Sequence, residues 1–282
     1  MGCACPTTIS EALKLLAAGR GPILAGCTDV YPARSAKPLP EDGIDITRLG
    51  DLRGITEAGD HWRIGALTTW SDLAHAKLPP CFDALRQAAT QLGGIQIQNV
   101  ATIGGNLCNA SPAADGVPPL LCLDAEVELS AVAGTRRLPL ERFVLGNRAT
   151  ARRPDEMLTA IVVPKWSDAA VSEFFKLGAR RYLVISIAMV SVLLAREAGR
   201  ITAARIAVGA CSPAARRLPA LEAALVGQPC GPILADLACA EHLAPLSPID
   251  DVRGSAAYRR DAVLTMVRRG LAAAARKLSG GA

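Results

Sequence analysis

Residues 92–124 read LGGIQIQNVATIGGNLCNASPAADGVPPLLCLD. Two glycine pairs, Gly93-Gly94 and Gly104-Gly105, bracket an apolar alternation, and a polar run of Asn106, Asn109, Ser111 and Asp115 follows. Positions this poor in side chains leave backbone N–H groups unshielded, and successive amides of that kind form concave nests for anions. Charge-assisted hydrogen bonds contribute about 1.5–3 kcal/mol each, so three or four of them would hold a diphosphate. A glycine-rich surface loop is the simpler alternative, but a turn needs only one or two special residues and here the density persists along the stretch. Neither a P-loop nor a G-x-G-x-x-G between a strand and a helix occurs, which excludes the common phosphate loops.

Toward the N-terminus, Thr8-Ile9-Ser10-Glu11 is a capping box, Ile9, Leu13 and Leu16 repeat at helical spacing, and Gly19 offers a stop. Gly21-Pro22 then turns into Ile23-Leu24-Ala25, a short apolar run that reads as a buried strand and ends in Gly26-Cys27-Thr28-Asp29-Val30. This is a second phosphate-loop candidate, unspecific when taken alone. Further on, Ile44 to Ile46, Gly54 to Thr56 and Trp62 to Ala66 read as short strands. Thr69 with Asp72 caps a helix into Ser71 to His75, and Phe82 to Leu92 is amphipathic and ends at Gly93. The order so far alternates helix and strand. Beyond the central stretch, Glu126 to Leu129 and Arg136 to Leu138 make a hairpin around Ala133-Gly134-Thr135, and Met157 to Val163 is a strand stopped by Pro164. Trp62 and Trp70 read as core residues.

Taken together, the two loops resemble a known family. Thr102-Ile103-Gly104-Gly105-Asn106, followed by Asn109-Ala110-Ser111-Pro112-Ala113-Ala114-Asp115, is similar to the signature of the FAD-binding (medium) subunit of molybdenum hydroxylases, the xanthine dehydrogenase and carbon monoxide dehydrogenase family. Those subunits carry A-G-G-T-D at the end of their first strand, and Ala25 to Asp29 departs from it only by Cys27. Cysteine disfavours positive φ, so the departure implies either an ordinary backbone there or accepted strain. The resemblance implies an α+β chain, with a two-part FAD-binding domain of the vanillyl-alcohol-oxidase/PCMH type over residues 1–168. A smaller α+β domain follows over 169–282, a three-stranded antiparallel sheet with helices.

The implied cofactor-binding residues are Ile23, Leu24, Ala25, Gly26, Cys27, Thr28, Asp29, Val30, Leu92, Gly93, Thr102, Gly104, Gly105, Asn106, Cys108, Asn109, Asp115, Leu158 and Lys176. Lys176 matches a lysine that approaches the flavin ring from the second domain, and Asp115 an aspartate near the ring or ribitol. A lysine near flavin N1 would stabilise the charge of the reduced ring. A solvated strand residue is the simpler reading of Lys176 by itself. Arg180-Arg181-Tyr182 stands where a tyrosine could cover the flavin. The implied role is electron relay, in which a partner subunit carries molybdopterin, a small subunit carries 2Fe-2S clusters, and NAD+ or another acceptor receives the electrons. The carbon monoxide dehydrogenase type usually shows a histidine and an acidic residue just before P-A-A; Asn109-Ala110-Ser111 is more similar to purine and N-heterocycle hydroxylases. A stand-alone flavoprotein of the same superfamily, and an assembly protein that lost its cofactor, are the alternatives from other classes.

Beyond Trp166 to Ala170 the pattern changes. Glu173 to Leu177 alternates, Ile185 to Ala195 is β-branched, and Ile201 to Ala210 returns, a meander. Helices are expected over Ala214 to Val226, Pro232 to His242 and Ser255 to Leu278, the last with a basic face of Arg259, Arg260, Arg268, Arg269 and Arg276 that reads as solvated. The chain of 282 residues is half apolar and 20% charged, which describes globular domains. A net charge of +5 with 4% aromatics argues against a nucleic-acid surface. Its nine cysteines are odd in number and include no C-x-x-C, against a zinc ribbon, an iron–sulfur cradle or a disulfide framework; most read as small buried hydrophobes. No apolar run suits a membrane span and no signal-peptide pattern opens the chain, so a cytoplasmic location is expected.

Overall fold

The computed structural model describes residues 2–34, 42–181 and 183–280; Tyr182 lies outside the described residues. Thr8 caps the Ile9–Ala17 helix by accepting from the Glu11 amide, and Ala12, Leu13 and Leu16 are its buried face. That face packs with Ile44, Ile46, Leu49 and Leu52. Above it, Ile23–Leu24 pairs in parallel with Ile44–Asp45.

The middle of the first lobe is a five-stranded antiparallel sheet, in the order Ile55–Glu57, His61–Gly65, Met157–Pro164, Glu126–Ala131, Gly134–Pro139. Alternating helices and strands along the chain suggest parallel crossovers, but hairpins and a long return put every pair of this sheet antiparallel. Met157–Pro164 is central, and all its residues but Pro164 are buried. Met157 faces the N-terminal helix and Leu158 faces the main core, so a strand sandwiched on both sides needs the unbroken apolar run seen in its sequence. Trp70 is fully buried, while Trp62 packs edge-to-face on Phe82 with centroids 5.9 Å apart.

The second lobe is an antiparallel sheet in the order Ala170–Leu177, Ala188–Glu197, Arg200–Gly209, Arg216–Arg217. It has four strands where three were expected, because Arg216–Arg217 pairs with Ala207 and Val208. That short edge strand also delays the next helix to Pro219–Leu225, and the helix expected over 232–242 is split into Ile233–Asp236 and a 3-10 turn at Ala240–Leu243. The Ala256–Leu278 helix, capped by Ser255, lays Val263, Val267, Leu271 and Ala274 on the sheet. Gly270 lets it come close: an added Cβ would stand 2.8 Å from Val192.

A continuous core joins the lobes, with Leu193, Ala195 and Ala207 in the same cluster as Leu120, Leu121 and Cys122. Polar clamps flank it. Asp124 accepts from Arg205 at 2.9 Å and Arg217 at 2.7 Å, and Arg205 stacks over Trp166 at 5.4 Å. Lys277 pairs with Glu173 at 2.6 Å and Asp83 at 3.0 Å. None of the nine cysteines is paired; only Cys81, Cys122 and Cys211 are fully buried, fewer than composition suggests. Among the described residues no helix is long and apolar enough to cross a membrane.

Candidate cofactor site

The glycine-rich stretch is helical where a loop was expected. Ile95–Val100 is one short helix and Ile103–Asn109 a second, the signature helix, whose N-cap Thr102 accepts from the Gly105 amide. The amides of its first turn are taken: Ile103 donates to Thr68 at 3.0 Å, Gly104 to Ala66 at 2.9 Å, Gly105 to Thr102 Oγ1 at 3.1 Å and Asn106 to the Thr102 carbonyl at 3.0 Å. The expected amide nest is therefore not in this helix. These glycines act through space instead. Gly104 is buried, and a Cβ on it would lie 2.7 Å from the Ala66 carbonyl oxygen, whereas Gly105 is exposed and a Cβ would meet only Thr102 Oγ1.

Unpaired amides are found in the first loop and also, among the described residues, from Gly93 to Ile97 at the start of the Ile95–Val100 helix. Among the described residues, no protein acceptor pairs with the N–H of Gly26, Cys27, Thr28 or Asp29. Val30 and Tyr31 both turn back to the Cys27 carbonyl, so the loop runs straight into the Val30–Arg34 helix. Gly26 presses this loop onto the end of the Ile95–Val100 helix, since its Cβ would sit 2.0 Å from the Val100 carbonyl oxygen. The first loop thus meets the end of the Ile95–Val100 helix, and both carry free donors.

Cys27 resolves the departure from A-G-G-T-D in favour of strain, with φ at 55°. Burial, reinforced by Asp45, pushes its thiol up, so it stays a neutral thiol at physiological pH. Left-handed backbone costs a non-glycine residue about 1–2 kcal/mol, partly offset by the greater unfolded-state freedom of glycine. Cys27→Gly is expected to raise unfolding stability by up to about 1 kcal/mol, read by denaturant titration of the cofactor-free chain.

Lys176 and Asp115 form a buried pair at 2.7 Å, their side chains 5% and 8% exposed. Lys176 is not the solvated residue its strand position suggests. It also donates to the Gln91 carbonyl at 3.3 Å, next to Leu92 and Gly93. Ser186 donates to the other Asp115 oxygen at 2.9 Å. Burial pushes the Asp115 carboxyl up, against the pull of Lys176 and Ser186.

The remaining residues divide by exposure. Leu24, Thr102 and Leu158 are buried, and Leu158 sits in the core with Ile103 and Leu107, behind the signature helix. Ile23, Ala25, Val30, Leu92 and Asn106 are half-buried, and Asn106 Oδ1 is a buried acceptor without a protein partner. Gly93 is left-handed, at φ 56°. Cys108 stands on an accessible side of the helix, yet the protein around it pushes its thiol up to about 11. Asn109 is held by Arg148, which donates to its side chain and, at 3.3 Å, to its carbonyl, a cation at a helix C-terminus. Neither Arg148 nor Ser186 was evident in the sequence, since their partners lie 39 and 71 positions away.

This geometry fits an extended dinucleotide: unpaired loop amides, a Cβ-free helix face at Gly105, an unpartnered Asn106 oxygen and a buried cation across the seam. The family model for the FAD binding domain in molybdopterin dehydrogenase matches residues 1–166, and that for the CO dehydrogenase flavoprotein C-terminal domain matches 173–274. The protein is thus an FAD-binding oxidoreductase component. It is 31% identical to the putative xanthine dehydrogenase FAD-binding subunit of Escherichia coli, over 93% of this chain and 91% of that one. It is 37% identical to the nicotinate dehydrogenase FAD-subunit of Eubacterium barkeri, over 64% of each. A carbon monoxide dehydrogenase structure from Hydrogenophaga pseudoflava superposes with a TM-score of 0.87 at 30% identity, covering 99% of this chain and 98% of that one. The chain belongs to the family of FAD-binding medium subunits of the molybdenum hydroxylases.

Proposed function

We propose that this chain is the electron-relay subunit of a heteromeric molybdenum hydroxylase. A large partner subunit carries molybdopterin, a small one carries 2Fe-2S clusters, and NAD+ or another acceptor takes the electrons. FAD, when bound, supplies a carrier that accepts and releases two electrons. Its binding residues are those between Ile23 and Val30, with Leu92, Gly93, Thr102, Gly104, Gly105, Asn106, Cys108, Asn109, Asp115, Leu158 and Lys176. Residues 1–168 form the cofactor domain and 169–282 the domain that brings Lys176 to it.

The observation that carries this reading is the set of unpaired amides at Gly26 to Asp29, pressed by Gly26 against Val100 and Ala101, just ahead of the signature helix. These donors hold the diphosphate. Exposed Gly105 keeps the helix face free of a side chain, and Lys176 Nζ holds a positive charge where the reduced cofactor gains a negative one. An N-heterocycle is the substrate class for the holoenzyme, supported by Asn109-Ala110-Ser111 and by the likeness to the nicotinate dehydrogenase subunit. The purified chain should show flavin absorption and release FAD on heating, or take up added FAD when colourless. A chain that does neither, alone or with its partner subunits, sinks the reading. Co-purified holoenzyme that oxidises carbon monoxide and no heterocycle would overturn the substrate class alone.

A further inference from the structure

The Ala256–Leu278 helix opens with an arginine in an adverse place. Arg259 lies near the helix N-terminus, where a cation opposes the macrodipole, and it is 2% exposed. Its basic neighbours are ordinary: Arg260, Arg268, Arg269 and Arg276 are exposed. A buried guanidinium that local rules disfavour signals a requirement elsewhere in the fold. Arg259 donates to the Ile187 carbonyl, to the Ala210 carbonyl at 3.1 Å and to Asp251 Oδ1 at 2.6 Å.

One carbonyl belongs to a residue that holds the signature segment, and the other to the neighbour of one that does. Ile187 donates to the Leu177 carbonyl at 2.7 Å, one residue beyond Lys176, and directly follows Ser186, which holds Asp115. Ala210 is left-handed, at φ 60°, and its amide donates to the Pro112 carbonyl at 2.9 Å. The geometry points to Arg259 as a positioning residue that sets the Asp115–Lys176 pair against the cofactor from the far side of the second lobe. This rests on the proposal that the pair faces FAD. Asp251 neutralises the guanidinium, and its two nitrogens span three acceptors that one ammonium reaches less well.

The test uses the full-length chain as Arg259→Gln and Arg259→Lys, with exposed Arg269→Gln as control. R259Q is expected to weaken FAD binding about ten-fold or more in a fluorescence titration. It should also weaken the reduced form about ten-fold beyond the oxidised, lowering the flavin midpoint potential by about 30 mV for a two-electron couple. R259K should recover part of both, and R269Q should change neither. A merely structural role would lower thermal stability while leaving the midpoint potential at saturating FAD unchanged, and that result in R259Q, or in R259K when R259Q does not fold, overturns the proposal. Should the wild-type chain bind no FAD, the function proposed above fails separately. Amide exchange at Ile187 and Ala210 in the cofactor-free chain then decides: faster exchange in R259K upholds the positioning role, and unchanged exchange overturns it.

Discussion

Lys176→Met is expected to lower the unfolding free energy of the cofactor-free chain by about 3–5 kcal/mol near pH 7, the cost of leaving one partner of a buried ion pair uncompensated. The unpaired group is Asp115, whose remaining donor is Ser186. The loss depends on pH in a defined direction. Burial already pushes the Asp115 carboxyl up, and removing the lysine pushes it further. A carboxyl raised in the folded state binds its proton more tightly there than in the unfolded chain, so its contribution is present below the unfolded value and fades as pH rises through the folded one. The K176M defect should therefore be largest at neutral pH and shrink as pH is lowered toward 4, where Asp115 is protonated and no bare charge is buried. Asp115→Asn in the K176M background should restore most of the stability at pH 7. Denaturant titrations at several pH values read all of this, and a defect of constant size across that range would refute the account. In the FAD-loaded chain, K176M should favour the oxidised cofactor, seen as a lower flavin midpoint potential.

The second large effect separates two glycines that look equivalent in the sequence. Gly26→Ala places a methyl 2.0 Å from the Val100 carbonyl oxygen, backbone against backbone, with no flexible side chain to give way. Overpacking of this kind costs about 3 kcal/mol, and the loop must leave the signature segment to relieve it. Both stability and FAD retention should fall. Gly105→Leu meets no backbone, only Thr102 Oγ1 at 2.9 Å, and leucine regains about 0.8 kcal/mol of helix propensity over glycine. That chain should unfold within about 1 kcal/mol of wild type, yet bind FAD at least a hundred-fold more weakly, because the side chain occupies the face left open for the cofactor. Normal FAD retention in Gly105→Leu would remove the signature helix from the binding site. Unchanged stability in Gly26→Ala would show that the loop is free to move.

The signals legible in the chain were short-range ones. Thr69 with Asp72 forms a full capping box, Thr8 caps its helix although Glu11 reaches back to the Thr7 amide and so leaves the box open, Met157 to Val163 is the doubly buried central strand, and the Ser255 cap starts the long helix. The two loops were recognisable as a cofactor signature because each matches a known family's motif over a short contiguous run of residues. What each glycine does was not legible. Gly26 and Gly104 are present for close approach to Val100 and Ala66, and the amides of the signature helix, counted as donors in the sequence, are consumed by Thr68, Ala66 and Thr102. A sequence states how many donors a segment has, and only the packed chain states which of them are already used.

The charged residues divide in the same way. Lys176 and Arg259 each sit in a local pattern that reads as solvated, and both are buried. Their partners are 61 positions away for the lysine and 72 for one carbonyl of the arginine. Residue identity determined the individual helices and strands, because capping and periodicity act within a few residues, and the resemblance of the two loops to a known family implied the α+β lobes and FAD. Tertiary structure decided which amides stay free, that the lysine of one lobe meets the aspartate of the other, and that a buried arginine bonds the carbonyls of Ile187 and Ala210 behind them. Burying a charge is tolerated only where partners converge from distant segments, and that convergence is set by the path of the whole backbone.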